Sequence, residues 1–558
     1  MLREDIIEEL AIESPITYKS DDSYVKIIET ILRVIKGKVE EIDDSEECKT
    51  NSLYYSSINL IGTIIEEKGL DRLSIDFGSF SNKECIELFD FIDSTLDEYI
   101  GRYTINYSPE ELLLKTLTFS SVISKCTFSV YAEDVTSSNN NWGISEIEQI
   151  LREIDSIELF DIRSVLGEIK GALEVAVDSI LLKRVAFSLS ITKKDIDYFK
   201  LLTLFNAKNI VNQSKEIVPI LGESRKKIKL SKNLGIILPN KIMTAFNTYG
   251  GETKNEQIRV ENNLTSELFE IFNESLGFKP ETILRYASLE EDKRAFRIYD
   301  NLVSIADSEL LPLDIMFNQG LESRGVNNMM RIFTLNNDEF YEKNSSKNEN
   351  HLGSANNRLF RAPIIKLDSK ILIPTYTWLE SLKYLSLRIL RRNIFSDIIT
   401  DTWNEMVKQT YDEYDLYRLK ADLKSKNFDV YTNVDLSQNS LIKKKLESVK
   451  KMPHEIDLLY FNKGNMFIFD LKNYGMQHNF SDVRKVVQKI NKQKGKMNRL
   501  KQFISDNKYI FEKIYGQEIN KIIMGILTVN STVYPYISDN KSKVKVMSVQ
   551  KFQDELGL

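Results

Sequence analysis

The stretch that most constrains this 558-residue chain runs from Glu455 to Lys472. Two apolar runs, Leu458–Phe461 and Met466–Phe469, flank the polar tip Asn462-Lys463-Gly464-Asn465. That pattern spells a β-hairpin. The tip is centred between Lys463 and Gly464, so a register symmetric about that peptide sets Asp457 opposite Asp470. Their Cβ atoms then lie about 5 Å apart on one face. Lys472, two residues beyond Asp470, projects from the same face.

The second strand is apolar on both faces, as in a covered central strand. Two opposed carboxylates in such a sheet repel unless a cation lies between them. Lys472 supplies part of that charge. A divalent metal supplies more, and oxygen ligands from aspartate suit Mg²⁺ or Mn²⁺.

An acid on one strand followed by Asp470-Leu471-Lys472 on the next resembles the PD-(D/E)XK nuclease superfamily, whose fold is the restriction-endonuclease-like fold. Pro453 stands four residues before Asp457, so the literal Pro-Asp is absent. The resemblance covers about 396–535 and implies an α/β domain with a mixed central sheet. It implies Asp457, Asp470 and the Leu471 carbonyl as ligands of Mg²⁺, with Lys472 as the catalytic amine. It also implies an upstream acid on a helix. Glu405, in Trp403-Asn404-Glu405, is the first candidate for that role and for the metal shell, and Glu413 is the second. In some members the helix after the motif carries a Gln or Lys near the site. Gln488 and Lys489 are candidates here, whereas a QxxxY pattern is not met.

The stretch Ser481–Phe503 reads as that helix, with a possible break at Gly495, and Ile522–Val529 reads as the closing strand. Between Asp482 and Lys501 lie eight bases and one acid, a composition that fits phosphate contacts. Lys485, Lys489, Lys492 and Lys496 are the candidate nucleic-acid-binding residues. His454, Tyr474 and His478 adjoin the motif without a required role.

Charge divides the chain in the same sense. Residues 391–558 hold 29 Lys and Arg against 20 Asp and Glu, while the rest holds 46 against 62. An acidic front joined to a basic end suggests two jobs, with the polyanion bound at the end. The first 325 residues read as mostly helical, in one or two domains, with a regulatory or target-selecting role. Helices are expected over Tyr24–Ile35, Leu53–Ile65, from the capping box Ser81-Asn82-Lys83-Glu84 to about Tyr99, from Ser108-Pro109, and repeatedly between Ile144 and Asn212. Leu73–Phe77 and Thr127–Val135 read as strands, and Ser137–Asn141 as a loop. Residues 326–360 read as a polar linker. A nuclease domain is expected over 361–558, opening with a hairpin at Ala362–Thr377 and a long helical stretch from Leu379 to about Lys424, with a break near Asn393. Phe428–Val434 is the next expected strand.

Composition excludes several classes. With 42% hydrophobic and 28% charged residues, the chain is neither disordered nor a disulfide scaffold. Cys48, Cys85 and Cys126 form no CxxC pair. Only three histidines are present, His351 among them in a polar run, too few for a histidine-dense metal hydrolase. There is no phosphate-cradling GxxxxGK[ST], and Gly250-Gly251 reads as a turn. The expectation is therefore a cytoplasmic, Mg²⁺-dependent endonuclease acting on DNA rather than RNA. A partner protein or a second copy is the expected source of any switching, and no membrane is expected to be involved. Restriction or phage defence is a setting suggested by fold-level analogy alone. The alternative is an inactive nuclease-fold module that binds nucleic acid or aids assembly.

Overall fold

In the computed structural model, the described residues are 22–42, 52–67, 79–135, 159–182, 196–222, 228–230, 266–287, 296–299, 302–335, 358–390, 394–409, 413–446, 455–474, 480–529, 532–537 and 544–557, apart from single positions within these ranges. The expectations for Leu73–Phe77, Ser137–Asn141, Gly250-Gly251, His351, His454 and His478 lie outside them. The chain divides into two compact units: Met1–Lys215 with Lys229–Ile236 and Phe269–Thr400, and Glu216–Ile228 with Ile237–Leu268 and Asp401–Leu558.

The first unit is mainly helical. Its N-terminal helices are α1 (Asp22–Ile42), α2 (Leu53–Glu67), α3 (Asn82–Thr104), α4 (Pro109–Val135), α5 (Leu159–Leu182) and, as far as Lys215, α6 (Tyr198–Gly222). The capping box opens α3: the Glu84 backbone N–H donates to Ser81 Oγ, and the Ser81 N–H donates to Glu84 Oε2. Ser108 opens α4 by accepting from the Glu111 N–H. Thr127–Val135, expected as a strand, continues α4. Earlier in the helix Leu113, Leu117, Phe119, Val122 and Ile123 are all buried, so that part is covered on several sides. Its threonines satisfy their hydroxyls internally, Thr116 donating to the Leu112 carbonyl and Thr127 to that of Ile123.

Next come α7 (Ser266–Leu276, in this unit from Phe269), α8 (Pro280–Ala287), β1 (Phe296–Tyr299), β2 (Val303–Asp307), α9 (Leu310–Gln319) and α10 (Ser323–Phe333). The stretch expected as linker thus opens with helix through Phe333; residues 336–357 are not described. The hairpin forms as β3 (Ile365–Leu367) and β4 (Lys370–Pro374), followed by α11 (Thr375–Leu390). It does not open the nuclease domain. β4 pairs antiparallel with β2, giving a four-stranded sheet in the order β1-β2-β4-β3. The unit boundary therefore falls at Thr400, not at 361. Pairing between segments over sixty residues apart leaves no local mark in the sequence.

The second unit contains α12 (Asp401–Val407), α13 (Tyr414–Ser425), β5 (Asp429–Asp435), α14 (Ser440–Leu446), β6 (Glu455–Asn462), β7 (Asn465–Lys472), α15 (Phe480–Asp506), α16 (Lys508–Tyr515), β8 (Lys521–Thr528), α17 (Tyr534–Ile537), β9 (Val544–Ser548) and α18 (Val549–Leu556). Its sheet is mixed, in the order β9-β8-β7-β6-β5. β5, β6 and β7 are antiparallel neighbours, and β8 lies parallel to β7 and β9. The helical stretch up to Lys424 is made of three helices, α11, α12 and α13, and the break expected near Asn393 falls between α11 and α12.

Two cores cover the sheet. On one face Leu459, Met466, Ile468 and Met524 pack with Val483, Val487, Ile490, Met497 and Leu500 of α15. On the other, Tyr460 stacks on Phe467 at 4.6 Å, and Phe469 meets Phe552 of α18 edge-on at 4.9 Å. β7 is thus central and covered on both faces, as its apolar sequence requires.

Candidate active site

Turn chemistry sets the register. Lys463 and Gly464 both adopt left-handed backbone, φ 48° and 71°, the pattern of a two-residue hairpin turn. A Cβ on Gly464 would come within 2.4 Å of Asn520 Nδ2, so the closeness of that neighbour favours glycine as well. The β6–β7 ladder then pairs Asn462 with Asn465, Phe461 with Met466, Tyr460 with Phe467, Leu459 with Ile468 and Leu458 with Phe469. This is the symmetric register, which, continued by one step, would set Asp457 opposite Asp470.

At that step side chains take over from backbone. The backbone ladder stops at Leu458–Phe469. Beyond it the Leu471 N–H donates to Asp457 Oδ2 at 2.7 Å, so a carboxylate accepts the donor. On the other flank the β5–β6 ladder passes from Thr432–Leu458 to Val434–Ile456 and omits Asn433–Asp457. Asn433 is left-handed, φ 51°, and exposed. The run Val430–Val434 reads as strand, and its asparagine was the one available sign of this departure. Such interruptions gather beside active sites.

Lys472 bridges the acids. Its Nζ lies 2.9 Å from Asp470 Oδ1 and 3.4 Å from Asp457 Oδ2, and donates to the Leu471 carbonyl at 3.2 Å. Asp470 is 6% exposed, and its Oδ2 is buried without a hydrogen-bond partner. Burial pushes the Asp470 carboxyl up to about 6; Lys472 pulls it down and Asp457 adds to the rise. For Lys472, burial acts downward, but the two carboxylates outweigh it and the amine titrates above its ordinary range. Tyr474 is buried next to this group, and its phenol is raised by burial and by the Asp470 charge.

The structure does not bring the upstream acid to the pair. Among the described residues no group of three His, Cys, Asp or Glu side chains is placed to hold a metal ion, so neither Glu405 nor Glu413 joins Asp457 and Asp470 in one. Glu405 is exposed on α12. Glu413 is half-buried at the head of α13, 3.1 Å from Lys408, and accepts from the Tyr417 hydroxyl at 3.2 Å. Lys408 also feels the charge of Glu455, two residues before Asp457.

The basic helix is continuous through Gly495. Lys485, Lys489 and Lys492 are exposed and Lys496 is half-exposed. Gln488 is exposed too; the buried amide on this helix is Gln493, at 8%, a position the motif did not suggest.

Residues 408–535 match the family model for the nuclease-related domain, NERD. The NERD family belongs to the PD-(D/E)XK-like nuclease superfamily. The match holds Asp457, Asp470, Lys472, Glu413 and α15, and begins three residues after Glu405. No curated protein and no solved structure gives a significant match to the chain. No helix among the described residues is long and apolar enough to cross a membrane.

Proposed function

We propose that the NERD region is a metal-dependent nuclease that hydrolyses phosphodiester bonds, with DNA as substrate and an endonucleolytic mode. The observation that carries this reading is the buried, partnerless Oδ2 of Asp470 beside Asp457, with Lys472 on the other oxygen. A buried carboxylate oxygen with no donor costs free energy and is retained where something binds to it.

The donor set fits Mg²⁺ or Mn²⁺. Asp470 Oδ2, the Asp457 carboxylate and the Leu471 carbonyl are hard oxygens, and Mg²⁺ is commonly held by one or two carboxylates with water completing its shell. When bound, such an ion lowers the pKa of a coordinated water and withdraws charge from phosphate oxygens. Lys472 would hold the attacking water by hydrogen bonding and place its positive charge against the developing phosphate charge. Its raised pKa keeps it a cation at neutral pH, which favours charge stabilisation over proton abstraction. The Leu471 N–H fixes the orientation of Asp457. Glu413 rather than Glu405 is taken as the upstream acid in this reading, a choice supported by its lying inside the NERD match.

The test is incubation of the full chain with plasmid, linear duplex, single strands and RNA, in Mg²⁺, Mn²⁺ or EDTA. Cleavage should need metal and disappear in Asp470→Ala and Lys472→Ala. Equal cleavage by wild type and both variants would refute the assignment. A second reading, an inactive nucleic-acid-binding module, is favoured by the absence of a third convergent acid among the described residues. It predicts binding without cleavage under every condition.

A further inference from the structure

The exposed bases of α15 are not scattered. Lys485, Lys489, Lys492, Lys496 and Arg499 follow one another at spacings of four, three, four and three residues. At 100° per residue they fall within an arc of about 80°, and at 1.5 Å rise they span about 21 Å. The stripe lies to one side of the buried face made by Val486, Ile490, Gln493, Met497 and Leu500. It has a built end. The next residue in its line is Phe503, which is buried and meets Phe511 of α16 edge-on at 6.3 Å.

Topology gives the stripe a direction. β7 and β8 are parallel, with Lys472 beside Thr528 and Asn465 beside Lys521. The chain leaves the sheet at Lys472 and re-enters at Lys521, so α15 must carry it back along the strands. Lys485 therefore stands at the Asp470–Lys472 end and Arg499 toward the hairpin-turn end.

The geometry points to α15 as a phosphate track that holds one flank of a nucleic-acid substrate leading away from the cut, without reading its bases. This rests on the nuclease reading of the site and adds where the substrate lies and how it is recognised. Charge complementarity selects the occupant, since five cations in line with one another match a polyanion. The side chains between the bases, Gln488, Asn491 and Asn498, offer no aromatic platform for stacking and no apolar wedge for a membrane. Phosphate contacts carry no sequence information. At 3.4 Å per base pair, about 21 Å is roughly six base pairs.

The experiment uses the full chain in EDTA and a labelled 24-base-pair duplex, followed by fluorescence anisotropy across a salt series. Changing the five bases together to Gln should weaken binding on the order of 100-fold at low salt and reduce the log–log salt slope by about four. Changing them to Arg or Lys, so that charge is kept, should leave both close to wild type. A control in which exposed Lys424, Lys426 and Lys551 become Gln should leave the slope within one unit. Duplexes of unrelated sequence should bind within threefold of one another. Unchanged slope and affinity in the five-base variant overturn the track, as does a tenfold sequence preference lost with it. Binding to phosphatidylserine vesicles through these residues, with none to duplex, assigns the stripe to a membrane and also overturns it. The two readings fail separately. Cleavage with stripe-independent binding defeats only the track, whereas stripe-dependent binding with no cleavage in any metal defeats only the nuclease.

Discussion

Replacing Asp470 with Asn should stabilise the second unit in metal-free buffer at pH 8. In the folded chain burial raises this carboxyl from its ordinary 3.8 to about 6. A raised carboxyl pKa means that the folded state holds the proton more tightly than the unfolded one. Stability is then unaffected by this group below about pH 4 and falls as pH rises from about 4 to 6. Above that range the penalty is constant. At ~1.4 kcal/mol per pH unit, ionised Asp470 costs about 3 kcal/mol. The value already contains the attraction to Lys472, so a neutral isostere should recover most of it. For a domain of this size that is a rise of about 5–10 °C in Tm. The assay is thermal unfolding followed by circular dichroism in EDTA, for both proteins, at pH 4, 6 and 8. The difference should be near zero at pH 4 and reach its full size by pH 8. Mg²⁺ should reverse the ranking, because it binds the wild-type acid pair and stabilises it by mass action. An Asn variant no more stable than wild type at pH 8, or a difference that does not vary with pH, refutes the desolvated carboxylate.

Lys472→Met should act in the opposite sense: with the bridging cation gone, the variant loses Tm in EDTA at pH 8, loses less at pH 4, and gains more from Mg²⁺ than wild type does. Differential scanning fluorimetry across pH and metal checks this, and a variant that tracks Asp470→Asn sinks it. Glu413→Gln should lower metal-dependent cleavage by about 10- to 100-fold while Glu405→Gln leaves it within twofold; initial rates on plasmid decide, and the reverse order restores Glu405. Gly525→Ala should destabilise the second unit by about 1–3 kcal/mol, since its Cβ would meet the Phe469 ring at 2.4 Å and that ring is held by Phe552. Urea titration measures the loss, and Phe469→Leu in the same chain should recover part of it.

The parts of the site legible in the sequence were those encoded over a few residues. A two-residue turn with glycine sets a symmetric register that holds from Asn462–Asn465 to Leu458–Phe469 without any tertiary information, and Lys472 then reaches both Asp457 and Asp470. The order of hairpin, basic helix and closing strand followed from apolar runs of the right length. What stayed hidden depended on contacts distant in sequence. The β3–β4 hairpin was read correctly as a hairpin but assigned to the wrong unit, because its partner β2 lies across residues with no pairing signal. Thr127–Val135 continues α4 although Thr127, Val130 and Val135 give it the β-branched composition of a strand. Glu405 and Glu413 look alike in sequence; only the fold shows that one is exposed and the other is engaged by Lys408.

The arrangement at Asp470 explains why a covered sheet tolerates a carboxylate at all. The α15-facing side of β7 is Met466, Ile468, Asp470 and Lys472, so the strand goes from core to charge within two residues. Lys472 neutralises one oxygen of Asp470 and leaves the other without a donor. A residue kept for stability alone would be replaced by an apolar side chain, since isolated buried ion pairs seldom outperform one. The incomplete satisfaction is instead a standing free-energy cost at a single atom. In the proposed nuclease that cost makes the site's affinity for a cation higher, because binding removes a penalty the folded chain already carries. Stability and metal affinity at this strand are then two readings of one desolvated oxygen.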